Sequence, residues 1–309
     1  MEKIGIYGTG NIGACLATLC SGNGFETTVV GNSEAGLERC RNVMESNWDE
    51  LIEKKKAAEK NKKAAIGLTS ISNDPEDLRS CTFVFEAVAE KSEIKEKVYE
   101  NIEKVTKEDT IVASTTSSMT ATELVSLLKV KSRFMIAHPF QPAHIQPLVE
   151  VVETDFTIDT VKKRTVKLLE GLDRQVVILK KDIPGFIINR LAQTMFRESL
   201  DMIEHGIATP EDIDKAVKWA IGKRYASIGL LEYYDFVGFE LEKSIAENIY
   251  PTLCETKHSQ EINNEGLKNK KTGYLAGEGL YDWREKDKEE FRKRRTDPFI
   301  EALNWTLPE

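Results

Sequence analysis

Short apolar runs alternate with longer helical stretches along the first half of the chain. Lys3–Tyr7 and Phe25–Val30 are rich in strand-forming residues, and the apolar stretch Ala14–Cys20 between them has the length of a helix. Four more strand-like runs follow, at 82–87, 110–114, 133–138 and 146–152. The stretch Ser92–Val105, between the first two of them, has the pattern of an amphipathic helix. Strands separated by helices predict an α/β fold with a doubly wound, parallel sheet.

The pattern changes at Asp182-Ile183-Pro184-Gly185. The residue before a proline is pushed out of the helical region, whereas the proline itself can begin a helix. We expect a helix over about 185–204, and Thr209 with Pro210 to cap and begin the next one. No convincing run of strands follows, so the sequence predicts a first domain over 1–182 and an all-helical second domain over 183–309.

A glycine-rich turn joins the first predicted strand to the first helix. Its sequence is Gly8-Thr9-Gly10-Asn11-Ile12-Gly13. Gly8 permits a tight turn, Gly10 lets the backbone approach a pyrophosphate, and Gly13 lets the helix pack closely on the strand. Asn11 and Ile12 open the helix, whose N-terminus favours phosphate charge. The strand–turn–helix–strand context favours a dinucleotide site over an ordinary glycine-rich turn.

The second predicted strand ends without the carboxylate that commonly binds the ribose of NAD. Gly31 stands at the strand end and would remove the repulsion of a 2′-phosphate. Asn32, Ser33 and one of the cations Arg39 and Arg41 could then bind that phosphate. These residues predict NADP rather than NAD as the cofactor, and an NAD enzyme that tolerates the missing carboxylate is the alternative.

Composition and charge restrict the kinds of partner. The chain has 309 residues, of which 40% are hydrophobic and 30% are charged, as in globular proteins. A formal net charge of −8 argues against nucleic acid. There is no run of about 18 apolar residues, so we expect no membrane partner. The start of the chain leaves no room for a signal peptide. Its five cysteines form no C-x-x-C, which favours the cytoplasm.

Two residues form a candidate acid–base pair. His138 ends one predicted strand, and Glu150 lies 12 residues further on, in or beside the next. A carboxylate beside an imidazole orients the ring and stabilises its charged form, which suits a general base. Ser117 and Asn189 could position a substrate oxygen. A single histidine is more often structural, so that alternative stays open here. No Cys/His cluster has zinc-ligand spacing, and we expect no metal.

A basic segment lies within residues 33–64, which are helical by pattern. Six lysines, Lys54 among them, fall within the ten positions 54–63. One interpretation is a helical hairpin whose charges are solvated. The other is a substrate-binding patch for a phosphorylated substrate such as a CoA ester, with Lys54 as one of its contacts.

Along most of its length the chain resembles the 3-hydroxyacyl-CoA dehydrogenase family. The matching motifs occur in the same order as in that family: Gly8–Gly13, Phe85–Glu90, Thr116–Ser118, His138–Pro142, Pro147–Val151, Pro184–Arg190, Glu211–Asp214 and Gly277–Asp282. The resemblance implies an N-terminal Rossmann domain over 1–182, a helical domain over 183–309 that carries dimerisation and part of the substrate site, and a homodimer.

The resemblance also implies roles for individual residues. A hydride passes between the nicotinamide and C3 of a 3-hydroxy substrate, while His138 takes the hydroxyl proton and Glu150 pairs with the far nitrogen of its ring. Ser117 and Asn189 hold the substrate oxygens. Two further residues match family positions beside the cofactor, Glu90 and Lys95.

Three departures from the family pattern concern the substrate. Thr115 and Gln141 stand where CoA-specific members have asparagine, and Arg224 belongs to a stretch more like the branch that contains L-gulonate 3-dehydrogenase and L-carnitine dehydrogenase. Arg224 could bind a free carboxylate bidentately, or it could be a solvated charge at a helix end.

Two enzymatic interpretations and one non-enzymatic one therefore remain. The first is a dehydrogenase of a 3-hydroxyacyl-CoA such as 3-hydroxybutyryl-CoA, and the second is a dehydrogenase of a small free 3-hydroxy acid. A non-catalytic, crystallin-like binding protein is a remote third, because all four candidate catalytic residues are intact.

Overall fold

The computed structural model describes residues 2–305 and 307–308. Contacts divide the chain into two units, Met1–Ile187 with Lys293–Glu309, and Ile188–Arg292. The predicted boundary at residue 182 stays a prediction, and the change of unit falls five residues later. The return of the last residues to the first unit was not expected from the sequence.

An eight-stranded sheet forms the centre of the first unit. Its strands are β1 (Ile4–Tyr7), β2 (Thr27–Val30), β3 (Thr69–Ser72), β4 (Phe83–Glu86), β5 (Ile111–Ser114), β6 (Phe134–Pro139), β7 (Leu148–Val152) and β8 (Gln175–Leu179). Their order across the sheet is β3-β2-β1-β4-β5-β6-β7-β8. The first six positions have the order of a doubly wound dinucleotide-binding fold, as predicted.

One pair of strands departs from the expected parallel sheet. β7 runs antiparallel to β6, and β8 runs parallel to β7. Only residues 140–147 connect β6 to β7, and they contain no helix. A parallel crossover needs about a dozen residues or more, so this connection is too short for one. The antiparallel register sets His138 directly opposite Glu150.

Helices cover both faces of the sheet. They are α1 (Asn11–Gly22), α2 (Glu34–Glu53), α3 (Glu59–Gly67), α4 (Ser92–Val105), α5 (Ala121–Val125) and α6 (Asp159–Gly171). Side chains of α1, α2 and α6 pack on one face with Phe83 and Phe85, and those of α4 and α5 pack on the other with Val84. This alternation along β4 is what a strand buried on both faces requires.

The last residues of the chain, 293–305 and 307–308, form a returning tail that packs on α1, α2 and α3. Trp305 lies against Trp48 of α2, with ring centroids 5.9 Å apart, and a Cβ added to Gly22 would meet Trp305 at 2.0 Å. Lys54 Nζ lies 2.7 Å from Asp297 Oδ1. The returning tail therefore fixes the basic hairpin from outside.

The second unit is built from helices, as predicted. They are α7 (Ile188–Glu204), α8 (Pro210–Ala216), a π-helical segment (Val217–Gly222), α9 (Lys223–Tyr225), α10 (Leu230–Val237), α11 (Phe239–Ile249), α12 (Glu261–Lys268) and the first residues of α13 (Lys288–Glu301). Thr209 caps α8 by accepting from the Asp212 backbone N–H. Within residues 2–305 and 307–308, no helix combines the length and apolarity needed to cross a membrane.

Candidate active site

The glycine-rich turn has the tight geometry expected of a dinucleotide loop. Gly8 has φ +135°, and a Cβ there would lie 2.2 Å from the Ala87 carbonyl oxygen. A Cβ at Gly13 would lie 2.0 Å from the Gly8 oxygen, so α1 packs directly on the turn. At Gly10, by contrast, a Cβ would meet no atom within 4 Å. The turn is thus closed toward the protein and open where a phosphate would approach.

The first turn of α1 fits an anionic ligand. Gly10 is its N-cap and has no capping side chain, and the first turn holds no acidic residue. Backbone N–H groups at a helix start favour anions, and here no carboxylate of that turn competes for them. Asn11 and Ile12 lie in this turn. The chain therefore fits the pyrophosphate of a dinucleotide at the predicted residues.

Packing explains why glycine, and not a residue with a carboxylate, stands at the end of β2. A Cβ at Gly31 would lie 2.5 Å from the side chain of Thr9. Ser33 caps α2 by accepting from the Gly36 N–H, and Arg41 donates to the Ile71 carbonyl oxygen at 3.3 Å. Asn32 and Arg39 are exposed. Gly31 is thus explained by packing against Thr9, so it no longer points specifically to a 2′-phosphate.

His138 and Glu150 are in contact. His138 Nδ1 lies 3.0 Å from Glu150 Oε2, and the two residues are 5% and 0% exposed. The pairing follows from the β6–β7 register, which places both side chains on the same face of the sheet. A carboxylate only accepts hydrogen bonds, so Nδ1 carries the hydrogen and Nε2 is left as the acceptor.

Residues 186 and 187, which follow β8, also contact this pair. The Ile187 backbone N–H donates to Glu150 Oε1 at 2.8 Å, so both carboxylate oxygens are held. The rings of Phe140 and Phe186 lie 4.5 and 5.4 Å from the His138 ring. Phe186 is buried and has φ +48°. These contacts were missed from the sequence, because neither phenylalanine follows a periodic pattern.

Ser117 lies in an exposed turn after β5, and a carboxylate holds that turn. Its backbone N–H donates to Glu90 Oε1 at 3.0 Å, and the Thr116 hydroxyl donates to Glu90 Oε2 at 2.9 Å. Lys95 Nζ lies 3.3 Å from Glu90 and 2.8 Å from Glu86. The structure thus brings together Glu90, Lys95 and Ser117 of the predicted residues.

Comparisons with known proteins identify the family. The model of the 3-hydroxyacyl-CoA dehydrogenase NAD binding domain matches residues 3–183, and that of the C-terminal domain matches residues 185–283. The chain belongs to the 3-hydroxyacyl-CoA dehydrogenase family. Like other members, it is an NAD-dependent dehydrogenase that acts on a hydroxyl group.

Relatives within the 3-hydroxyacyl-CoA dehydrogenase family differ in substrate. L-carnitine dehydrogenase of Staphylococcus epidermidis is 33% identical over 89% of this chain and 88% of its own. 3-Hydroxybutyryl-CoA dehydrogenase of Mycobacterium tuberculosis is 30% identical over 92% and 99%. The crystal structure of 5-formyl-3-hydroxy-2-methylpyridine 4-carboxylic acid 5-dehydrogenase, an NAD+ dependent dismutase, has a TM-score of 0.88 at 27% identity and covers 98% of this chain and 97% of its own.

These comparisons bear on the cofactor. The matching family domain is described as NAD binding, and the solved relative is NAD+ dependent. The expected preference for NADP finds no support among them. The steric role of Gly31 agrees, since that glycine was the main reason for the expectation.

Of three other predicted residues, Lys54 belongs to the first unit, and Asn189 and Arg224 belong to the second. Lys54 is at the end of α2 and pairs with Asp297 of the returning tail. Asn189 is half-buried in the first turn of α7, and Arg224 lies in α9 with its guanidinium 4.4 Å from the centre of the Tyr233 ring. The roles of Asn189 and Arg224 stay predictions.

A second histidine is buried behind the dinucleotide loop. His144 is 2% exposed, and its Nδ1 lies 3.3 Å from the Cys15 sulfur in α1. Burial, with a smaller effect of Arg174, lowers the pKa of His144 from 6.5 to about 4. Burial also raises the pKa of the Cys15 thiol. The pair is therefore a neutral imidazole beside a neutral thiol, which suits packing rather than nucleophilic chemistry.

The lowered pKa of His144 predicts a loss of stability in mild acid. Below pH 6.5 the unfolded chain binds a proton on His144, whereas the folded chain does not until about pH 4. The unfolded state binds more protons in this window, so the free energy of unfolding falls as the pH falls. The pKa difference corresponds to at most about 3 kcal/mol.

Urea unfolding at several pH values between 7 and about 4.5 tests this. The difference in unfolding free energy between wild type and His144→Asn should shrink as the pH falls. A constant difference for His144→Asn would show that His144 carries no such linkage.

Proposed function

We propose that the chain oxidises a hydroxyl group on a small free carboxylic acid, with NAD+ as hydride acceptor. This proposal rests on the contacts of the basic hairpin, the lysine-rich segment 54–63 together with the helices α2 and α3. Lys54 pairs with Asp297, Lys56 Nζ donates to the Glu301 carbonyl oxygen at 2.8 Å, and Asn61 donates to that of Pro308 at 2.7 Å. The returning tail thus takes polar groups that a CoA phosphate would need.

The proposed proton transfer uses His138. Its Nε2 takes the hydroxyl proton, and Glu150 holds the ring and stabilises the imidazolium that forms. The Ser117 hydroxyl and the Asn189 amide bind the substrate oxygens. NAD+, when bound at the glycine-rich turn, supplies the acceptor for the hydride, which leaves the carbon that carries this hydroxyl group. Two relatives named above act on substrates that their names give as free molecules rather than CoA esters.

A 3-hydroxyacyl-CoA is the second candidate substrate. Lys55, Lys60 and Lys63 remain exposed on the same hairpin, so part of its basic surface stays open to a phosphate. The 3-hydroxybutyryl-CoA dehydrogenase relative is nearly as similar in sequence as the L-carnitine dehydrogenase.

The deciding experiment measures NADH and NADPH oxidation with acetoacetyl-CoA and with a panel of free 3-oxo acids. Turnover of free acids alone, faster with NADH, is the expected result. Turnover of acetoacetyl-CoA with no activity on any free acid would overturn the proposal in favour of the second candidate. A strong preference for NADPH would contradict the choice of cofactor.

Arg224 is the proposed partner of the substrate carboxylate. Within residues 2–305 and 307–308 no acidic side chain lies within ion-pair distance of it, so its donors remain for a ligand. Arg224→Met should raise KM for a free acid by roughly 10–100-fold, the effect of a charge-assisted bond. Lys215→Met, an exposed cation of the same unit, is the control. Equal KM for the wild type and Arg224→Met would remove this role.

We also propose that the chain forms a homodimer through the second unit. Large apolar side chains are exposed there, among them Leu231 at 80%, Phe236 at 86% and Phe239 at 77%. Exposed apolar surface of this kind marks an interface. Light scattering should give twice the chain mass of 34.9 kDa, and Phe236→Asp with Phe239→Asp should shift it toward one chain mass. A wild type that is monomeric at micromolar concentration would contradict the proposal.

A further inference from the structure

Glu86 ends β4 and is completely buried, yet every function described so far leaves it out. Lys95 Nζ lies 2.8 Å from each of its carboxylate oxygens. The hydroxyl groups of Tyr99 and Ser114 donate to Oε2 at 2.9 and 2.6 Å, and the Val88 N–H donates to Oε1 at 2.9 Å. A buried carboxylate with this many donors is fixed in place, because losing any of them inside the protein is costly.

Lys95 links this carboxylate to a second one. It is 1% exposed, and its ammonium also lies 3.3 Å from Glu90 Oε2. An ammonium has three hydrogens, and the two oxygens of Glu86 with the one of Glu90 provide three acceptors. Lys95 thus donates two hydrogen bonds to Glu86 and forms an ion pair with Glu90.

Glu90 in turn binds the turn that carries Ser117. Its two oxygens accept from the Thr116 hydroxyl and from the Ser117 backbone N–H. Thr116 Oγ1 in turn accepts from the Met119 N–H at 3.0 Å, so the turn is held on both sides. A continuous set of contacts thus runs from Glu86 through Lys95 and Glu90 to Ser117.

The location of these contacts matches the place where a ligand binds. Glu86 and Ser114 are the last residues of β4 and β5. The next residue after Glu86, Ala87, lies against the glycine-rich turn, since a Cβ added to Gly8 would lie 2.2 Å from the Ala87 carbonyl oxygen. In doubly wound sheets ligands bind outside the carboxyl ends of the strands, at the change of strand order beside β1. The contacts from Glu86 to Ser117 lie along this edge.

We propose that Glu86 is a positioning residue for the substrate oxygen. It holds Lys95, Lys95 holds Glu90, and Glu90 sets the turn so that the Ser117 hydroxyl meets the substrate. This rests on the proposed role of Ser117 in binding a substrate oxygen. Without the charge of Glu86, the ammonium of Lys95 would move toward Glu90 and compete there with Thr116 and with the Ser117 N–H.

The test is Glu86→Gln, which keeps size and removes charge, measured in the wild type and in Ser117→Ala. In the wild type kcat should fall about 10–100-fold, because a small misplacement near the reacting groups has an effect of that size. The NAD+ dissociation constant should change less than about threefold. In the Ser117→Ala background, Glu86→Gln should cost nothing further. Glu93→Gln, on the exposed side of α4, is the control.

Two outcomes overturn the proposal and differ from each other. If Glu86→Gln lowers kcat by the same factor in both backgrounds, it does not act through Ser117, and the proposed function is unaffected. If Ser117→Ala alone keeps full activity, the role of Ser117 in the proposed function fails as well.

A second pair of variants serves if Glu86→Gln does not fold. Thr116→Val removes the hydroxyl that donates to Glu90 and accepts from the Met119 N–H, and Thr116→Ser restores both bonds. Thr116→Val should lower kcat about tenfold, and Thr116→Ser should return it to near the wild-type value. Equal activity of the two variants would overturn the proposal, because a purely steric role does not depend on the hydroxyl.

Discussion

Replacing His138 with alanine is expected to lower kcat by roughly 10²–10⁴-fold, the usual contribution of a general base. His138 is the side chain that Glu150 orients through Nδ1, and its Nε2 is the remaining acceptor. NAD+ binding should be nearly unchanged, because the glycine-rich turn that would hold the pyrophosphate makes its contacts with Ala87 and within α1. Steady-state kinetics together with NAD+ titration measure the two quantities separately.

The control for this variant is another histidine. His205 is exposed at the end of α7 and bonds to Asp201 of its own helix, so His205→Ala should keep wild-type kcat. In His138→Ala, Glu150 keeps its bond from the Ile187 N–H, and we expect the fold to survive. Full activity of a folded His138→Ala would show that the proton goes elsewhere.

Much of the first unit could be predicted because its signals are local. The glycine-rich turn, the strands that precede it and follow it, and the helix Ser92–Val105 each show in a window of some fifteen residues or fewer. The closeness of His138 and Glu150 was predicted from their spacing at the ends of neighbouring strands, whereas the antiparallel register that places them opposite each other was not. The general-base role of His138 stays a prediction.

Contacts distant in sequence left no such signal. The bond from Lys56 to Glu301 joins residues 245 apart, and no periodic pattern relates them. Lys54 was therefore open to two interpretations, and only the returning tail gives a reason to choose. One signal was present but unused: Lys95 lies on the buried stripe of α4 with Val98, Tyr99 and Ile102, a position where a lysine needs a buried carboxylate.

Replacing Trp305 with alanine should lower the free energy of unfolding by about 3 kcal/mol, as for other large aromatic residues deleted from a core. Trp305 is 9% exposed and covers Trp48, which is completely buried. Its loss would open a cavity and let water reach Trp48. Urea unfolding followed by tryptophan emission measures both effects, as a lower midpoint and a red shift in the native state. Trp219→Ala is the control, since Trp219 is 68% exposed.

The effect of Gly22→Ala on the free energy of unfolding should change sign when Trp305 is replaced by alanine. In the wild type, Gly22→Ala should destabilise the protein, because its Cβ would lie 2.0 Å from the Trp305 ring. In Trp305→Ala that clash is gone, and alanine in place of glycine at the end of α1 should instead stabilise the helix by up to about 1 kcal/mol. The same sign in both backgrounds, or a Trp305→Ala effect no larger than that of the control, would show that the tail does not pack on α1 in solution. Opposite signs would place the returning tail in the same cooperative unit as the dinucleotide-binding helix, since only a packed tail can reverse the effect of one methyl group on α1.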